Sequence, residues 1–296
     1  MIVESPFNGM SCGNIALDRL GIPVERYTSY EIDRYAIDIT QKNYPKTIQA
    51  GDVTKAKGSR NTDLLFGGSP CQGFSFAGKQ LNFEDPRSKL FFDFLRLRDE
   101  SKPKYFLLEN VNMKKEYLDV ITKYMGVKPI RINSQLLSAQ RRDRWYWTNI
   151  EVDQPEDAGI NLEDILEEGF TDRMKSYCLD ANYFKGGNPE QYFKKSRRQL
   201  VFNYSSSGRA NGKVEGRFSY SAKALTLCDG GYSSRSTTGV FLDDMHWRKL
   251  SPLECERLQT VPEGYTEGVS NTQRYKMLGN GWTVDVIAHI LKGMEI

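Results

Sequence analysis

Short apolar runs alternate with amphipathic stretches along the first half of this chain. Ile2-Val3-Glu4-Ser5-Pro6 reads as a strand, and Ile15 to Leu20 as the helix after it, ended by Gly21. Tyr27 to Tyr30 is a second strand, and Arg34 to Asn43 a second helix with Pro45 just beyond its end. Leu64-Leu65-Phe66 and Tyr105 to Leu108 have the unbroken apolar character of buried strands. Lys89 to Arg98 carries Leu90, Phe94 and Leu97 on one stripe and reads as a helix, as does Tyr117 to Met125. Ile130-Arg131-Ile132 and Trp145-Tyr146-Trp147 complete the series as strands. This alternation predicts an α/β fold: a mostly parallel sheet with helices on both faces.

The pattern changes after about Ile150. No helical period runs from Tyr183 to Leu242, where Gly186-Gly187, Ser205-Ser206-Ser207-Gly208 and Gly230-Gly231 break the chain. A separate, loop-rich, partly β lobe is expected there. Regularity returns with a helix at Leu253 to Leu258 and a last one at Thr283 to Leu291. The expected division is a main domain over residues 1–150, completed by 275–296, with the smaller lobe at 151–274.

Composition narrows the class. Hydrophobic residues make up 39% of 296, ordinary for a globular protein. No long charge-free apolar run and no basic-then-apolar leader is visible, so a cytoplasmic chain without a membrane span is expected. Five scattered cysteines, no Cys-x-x-Cys pair and only two histidines argue against a disulfide framework or a metal site. Net charge is only +3, but it is unevenly spread. Glu151 to Glu168 holds eight acids and no base, whereas Thr171 to Val240 holds twelve Lys and Arg against five acids, interleaved with Tyr and Phe. A short charge run is usually a solvated face. A long basic segment with aromatics favours a polyanion-binding surface.

Six segments beside strand ends carry candidate chemistry. Phe7-Asn8-Gly9-Met10-Ser11-Cys12-Gly13 follows the first strand, where glycines permit a tight turn against a ligand. Glu31 ends the second strand, where a carboxylate can accept ribose hydroxyls, and Asp52 follows a plausible third strand. Cys71 lies in Gly67-Gly68-Ser69-Pro70-Cys71-Gln72-Gly73-Phe74-Ser75, a loop that can hold a thiol rigidly over a pocket. Glu109-Asn110-Val111 follows Tyr105 to Leu108 and brings a carboxyl group to the same sheet edge. A thiolate adding to a pyrimidine needs the ring protonated or strongly hydrogen-bonded at N3, which a carboxyl group can provide. In Gln140-Arg141-Arg142-Asp143-Arg144, alternation points Arg142 and Arg144 to one side. A plain turn, a capping turn or a solvated basic turn is the bland alternative for each segment.

Taken in order, Phe7-x-Gly9, Glu31, Asp52, Pro70-Cys71-Gln72, Glu109-Asn110-Val111, Gln140-x-Arg142-x-Arg144 and Gly279-Asn280 resemble the DNA cytosine-C5 methyltransferases over nearly the whole chain except the basic lobe. The resemblance implies a Rossmann-like, S-adenosylmethionine-dependent methyltransferase sheet with a smaller target-recognition lobe. It implies methyl transfer to carbon 5 of cytosine in double-stranded DNA, through a covalent Cys71 adduct and a flipped base. Glu109 would bind N3 and the exocyclic amine; Arg144 and Arg142 would hold the thiolate loop or the base. Phe7, Gly9, Glu31, Asp52, Pro70, Asn280 and Trp282 would contact the cofactor. Gln72 and Ser75, with Arg209 and Arg235 in the Ser/Gly-rich loops, are the candidate DNA contacts. Arg248-Lys249-Leu250-Ser251-Pro252 through Pro262 resembles the family segment that organises the recognition lobe. No metal is implied, and a monomeric bacterial or phage-encoded protein that associates with the nucleoid is expected. Phe-Asn-Gly-Met-Ser-Cys-Gly and Gly279-Asn280-Gly281-Trp282 depart from the commoner family forms and are closer to the de novo branch. An RNA-directed cytosine methyltransferase is the alternative. The Cys-Phe-Thr signature of the tRNA-directed branch does not occur, and no Asn/Asp-Pro-Pro-aromatic loop of amino methyltransferases is found.

Overall fold

The computed structural model describes residues 1–70, 86–185, 189–203, 212–213, 218–219, 239–240 and 246–295. Cys71, Gln72, Ser75, Arg209 and Arg235 lie outside the described residues. The first half runs β1 (Ile2–Pro6), α1 (Cys12–Arg19), β2 (Arg26–Tyr30), α2 (Arg34–Asn43), β3 (Ile48–Gln49), β4 (Leu64–Gly68), α3 (Pro86–Ser101), β5 (Tyr105–Val111), α4 (Lys115–Met125), β6 (Ile130–Asn133) and β7 (Asp143–Thr148). The second half holds α5 (Pro189–Lys195), β8 (Leu200–Asn203), β9 (Gly212–Lys213), β10 (Phe218–Ser219), β11 (Gly239–Val240), β12 (His246–Lys249), α6 (Pro252–Leu258), α7 (Asn271–Asn280) and α8 (Val284–Leu291).

Seven strands form one sheet in the order β3-β2-β1-β4-β5-β7-β6. All neighbours are parallel except β7, which runs antiparallel to both β5 and β6. Strand order reverses between β1 and β4, so a crevice opens beyond their carboxyl ends. Alternation along each strand divides the core. Leu64 and Phe66, Leu107 and Tyr146 join one cluster with α1 and α8, while Leu65, Leu108 and Trp147 join the other with Phe91, Phe94 and Ile121. Each fully buried Leu, Ile or Phe contributes roughly 1.5–3 kcal/mol. The helix pair α1 and α8, joined by an ion pair between Arg19 and Asp285 that spans 266 residues, closes one face.

Several elements differ from the sequence reading. β5 extends to Val111, so Glu109 sits inside the strand, opposite Gly68 and Tyr146, rather than after it. Helix α1 begins at Cys12 rather than Ile15. Helices α5 and α7 were not anticipated. α7 reads Asn-Thr-Gln-Arg-Tyr-Lys-Met-Leu-Gly-Asn, with good helix formers from Gln273 to Leu278 but no apolar stripe along its length, and it is held by the packing of Tyr275, Leu278 and Gly279. α5 is seven residues long, too short to show a period, and opens on Pro189, a favoured first helical residue. Asn280 therefore ends α7 and does not lie on the final helix.

Beyond β7, a small antiparallel sheet in the order β8-β12-β9 packs on its own cluster of Tyr192, Leu200 and Phe202, with Phe170, Tyr177 and Trp247 beside it. Leu162, Ile165, Leu250, Cys255, Leu258 and Tyr265, by contrast, belong to the large core cluster. The junction is ionic. Arg248 meets both carboxylate oxygens of Glu254 at 2.7 Å, and both side chains are buried. Ser251 and Glu254 cap α6 reciprocally, so the same carboxylate orders the helix start and the end of β12. Among the described residues, no helix is long and apolar enough to cross a membrane.

Candidate active site

A cavity of about 300 Å³ lies at the switch point. Its wall takes Phe7, Gly9 and Met10 from the loop after β1, Glu31 and Asp33 after β2, and Gly68 to Pro70 at the end of β4. Glu109 comes from β5, Arg144 from β7 and Arg142 from the position just before that strand, and Asn280 to Trp282 from the end of α7 and the turn beyond. Of the described candidate residues, Asp52 alone does not line it. Its carboxylate instead caps the turn at Val53–Lys55, accepting from the Thr54 N–H and hydroxyl at 2.9 Å each.

The loop after β1 is bent by left-handed backbone at Phe7 (φ 58°), Gly9 (φ 56°) and Ser11 (φ 64°). Phe7 and Ser11 are not glycines, so the turn is strained, and strain of this kind collects at functional sites. Glu31 holds the loop: its Oε2 accepts the Gly9 N–H at 2.8 Å, and its Oε1 accepts the Ile32 and Asp33 N–H groups. A Cβ on Gly9 would meet nothing within 4 Å, so the backbone itself faces open space there. Lys276 reaches Asp33 at 2.7 Å and ties the β2 side to α7.

The other half of the cavity is built on charge. Glu109 is only 8% exposed, so its carboxylate depends on protein partners. Oε1 lies 2.9 Å from Arg144 Nε, and Oε2 accepts from the Trp282 indole at 3.2 Å. Gly68 makes room: a Cβ there would stand 2.6 Å from Oε2. Arg142 and Arg144 do face one side, as alternation requires, and Asp143 turns away to Arg131. Their tasks differ. Arg142 donates to the carbonyls of Leu179 (3.0 Å), Gly279 (3.2 Å) and Gly281 (2.8 Å), so it staples backbone. Arg144 meets the Glu109 carboxylate.

Two further residues matter to the site. Asn110 donates to the Ser69 hydroxyl at 3.0 Å and so anchors the chain two residues before Cys71. Gln140, fully buried, donates to Leu258 O and Gln259 Oε1, and Gln259 in turn donates to Leu278 O and Gly281 O. Both belong to motifs visible in the sequence, but their partners are set only by the fold. Among the described cysteines, Cys12 lines the cavity, yet burial pushes its thiol up to about 11, against a partly offsetting contact from the Trp282 backbone N–H. It stays protonated near neutrality. Cys178 lies 3.5 Å from Arg142 Nη1 and is half-buried.

The donor set suits a nucleoside-bearing cofactor: a carboxylate at the end of β2, bare backbone at Gly9, an aromatic at Phe7 and an amide at Asn280. Sheet order and cavity together define a Rossmann-like methyltransferase. The family model for C-5 cytosine-specific DNA methylase matches residues 1–295, and the chain belongs to that family. It is a DNA (cytosine-5-)-methyltransferase that uses S-adenosylmethionine. The chain is 29% identical over 308 residues to the type II methyltransferase M.HhaI of Haemophilus parahaemolyticus, covering 96% of this chain and 91% of that one. It is 31% identical over 290 residues to M.NlaX of Neisseria lactamica, covering 90% and 87%. In fold it is similar to the Entamoeba histolytica methyltransferase EhMeth (TM-score 0.69, 18% identity, 99% and 97% covered). It is also similar in fold to the S. pombe Dnmt2 methyltransferase (TM-score 0.64, 16% identity, 99% and 97% covered).

Proposed function

We propose that this enzyme methylates cytosine in double-stranded DNA by way of a covalent Cys71 adduct on a base flipped out of the helix. The observation that carries this reading is the Glu109 carboxylate. It is buried, gripped by Arg144 and Trp282, and shares a cavity with Ser69 and Pro70, the residues leading to Cys71. A stacked cytosine cannot reach such a recess, so the base must leave the duplex. The Cys71 thiolate adds to carbon 6, and Glu109 holds the proton at N3 and accepts from the exocyclic amine. Addition makes carbon 5 nucleophilic. Loss of the carbon-5 proton, with the carbon–sulfur bond breaking, restores the ring. When bound, S-adenosylmethionine supplies an electrophilic sulfonium methyl group.

Phe7, Gly9, Glu31, Pro70, Asn280 and Trp282 would hold the cofactor; Asp52, outside the cavity wall and engaged in its cap, is left out of that set. Arg142 acts by fixing the turn that carries Asn280 and Trp282. Within the lobe at 151–274, phosphate contacts would come from the basic segment, with Arg209 and Arg235 the candidate base readers and Gln72 and Ser75 reaching the DNA beside the nucleophile.

Labelled methyl transfer to duplex DNA, single-stranded DNA and tRNA tests the substrate. Duplex DNA should be labelled at carbon 5 of cytosine, read by base-level sequencing. Transfer confined to tRNA would overturn the reading in favour of the RNA-directed alternative. A second expectation concerns the cofactor. Glu31→Ala removes the acceptor that orders the Gly9 loop and the hydroxyl partner it would offer. Cofactor Kd should rise about tenfold or more, the worth of a hydrogen bond to a charged group. Calorimetry showing an unchanged Kd would remove Glu31 from the cofactor site.

A further inference from the structure

Trp282 does more than close a wall. Its ring lies 5.6 Å from Phe66 at a 35° tilt, and its indole N–H points at Glu109 Oε2, 3.2 Å away. The backbone on either side is pinned by buried donors. Arg142 Nη2 and Gln259 Nε2 both donate to Gly281 O, at 2.8 and 3.2 Å, and the Thr283 hydroxyl donates to Gln259 Oε1 at 2.9 Å. Space has been left for the contact from the opposite side. A Cβ on Gly68 would lie 2.6 Å from the carboxylate oxygen and 3.0 Å from the indole nitrogen. A phenyl ring would supply apolar bulk equally well, but it could not donate. An indole N–H in such a place needs an acceptor, and a carboxylate is the strongest on offer.

We propose that Trp282 is a positioning residue for base activation: its indole N–H fixes Oε2 of Glu109, while Arg144 holds Oε1, so that the carboxylate keeps one orientation toward the incoming cytosine. This rests on the reading of Glu109 as the group that engages the base. The positioning spans the two halves of the cavity, because a residue two places after Asn280 on the cofactor side sets the geometry of the base side. A carboxylate gripped at one oxygen only can swing about its own axis, and misplacement of a reacting group is costly in rate.

Trp282→Phe keeps an aromatic wall and removes the donor. Single-turnover methyl transfer at saturating cofactor should fall about tenfold or more, as when a charged acceptor loses a donor. At saturating cofactor any change in Kd from the smaller wall drops out, so the fall in rate reports the interaction that acts on the reacting group. In a Glu109→Gln background the same substitution should cost much less, because the two residues act as a unit. Gly68→Ala, whose methyl group would part the pair, should also slow transfer at saturating cofactor. That variant guards against misfolding of Trp282→Phe. An independent readout is the indole 15N–1H resonance lost in Trp282→Phe: it should move upfield in Glu109→Gln. Wild-type rates in both Trp282→Phe and Gly68→Ala would overturn the proposal. So would a loss that disappears at saturating cofactor, or one that persists in full in the Glu109→Gln background. Near-normal transfer by Glu109→Gln itself would be a different failure: the reading of Glu109 falls, and this inference with it.

Discussion

Duplex DNA carrying 5-fluorocytosine at the target position should trap this protein as a covalent adduct through Cys71. Fluorine cannot leave carbon 5 as a proton does, so elimination of the sulfur stalls and the complex survives denaturation. Cys71→Ser should form no adduct, and its methyl transfer should fall to background, a loss on the order of 10⁴-fold or more for removal of a catalytic nucleophile. The surroundings favour this thiol over its rivals. Ser69 is buried and held by Asn110, and Pro70 lines the cavity, so the chain enters Cys71 from a fixed point beside Glu109. Cys12 also lines the cavity, but burial keeps it protonated. Cys255 is fully buried and its thiol is likewise pushed well up. Cys178, beside Arg142, is the competitor worth mapping. Peptide mapping that places the adduct on Cys12, Cys178, Cys228 or Cys255 would sink the assignment.

The second large effect belongs to Glu109→Gln. Glutamine keeps the shape but cannot carry a proton to N3 or a full negative charge. Methyl transfer should drop by roughly a hundredfold or more, the scale of general acid catalysis. Cofactor binding should persist, because Glu31 and the loop at Phe7 to Ser11 are untouched. The substitution also takes the counter-charge from Arg144, whose Nε lies 2.9 Å from the carboxylate. A melting curve therefore accompanies the rate measurement, so that lost stability is not mistaken for lost chemistry. Single-turnover transfer close to the wild-type rate in a folded variant would show that another group activates the ring.

Much of the site could be read from the chain because its chemistry sits where strands end. The apolar runs at Leu64 and Tyr105 mark neighbouring buried strands, and the residues that follow them inherit one sheet edge. Alternation alone placed Arg142 and Arg144 on one side, and the structure has both at the cavity. The helix at Arg34–Asn43 was legible to the residue, since a stripe of buried Ala36, Ile39 and Thr40 lies between Asp33, whose side chain caps it, and Pro45. α7 was not, because its buried residues Tyr275, Met277 and Leu278 are bunched toward its end and draw no stripe along it. It exists as a helix through contacts with distant segments, such as the Tyr275 hydroxyl on Leu250 O.

By itself, then, the sequence determined the α/β class, the common side of Arg142 and Arg144 and the strand ends that carry candidate residues. These depend on periodicity and turn chemistry, which act over a few residues. Tertiary structure alone decided which of those residues touch. That Arg142 would staple carbonyls while Arg144 meets a carboxylate is invisible in Gln-Arg-Arg-Asp-Arg, where both look alike. The bond between Trp282 and Glu109 joins positions 173 residues apart. It requires the β4–β5 register that sets Gly68 opposite Glu109, the buried amides that pin Gly281, and the turn out of α7, all at once. Local pattern cannot encode such a meeting, because each partner's position is fixed by packing against a different part of the core.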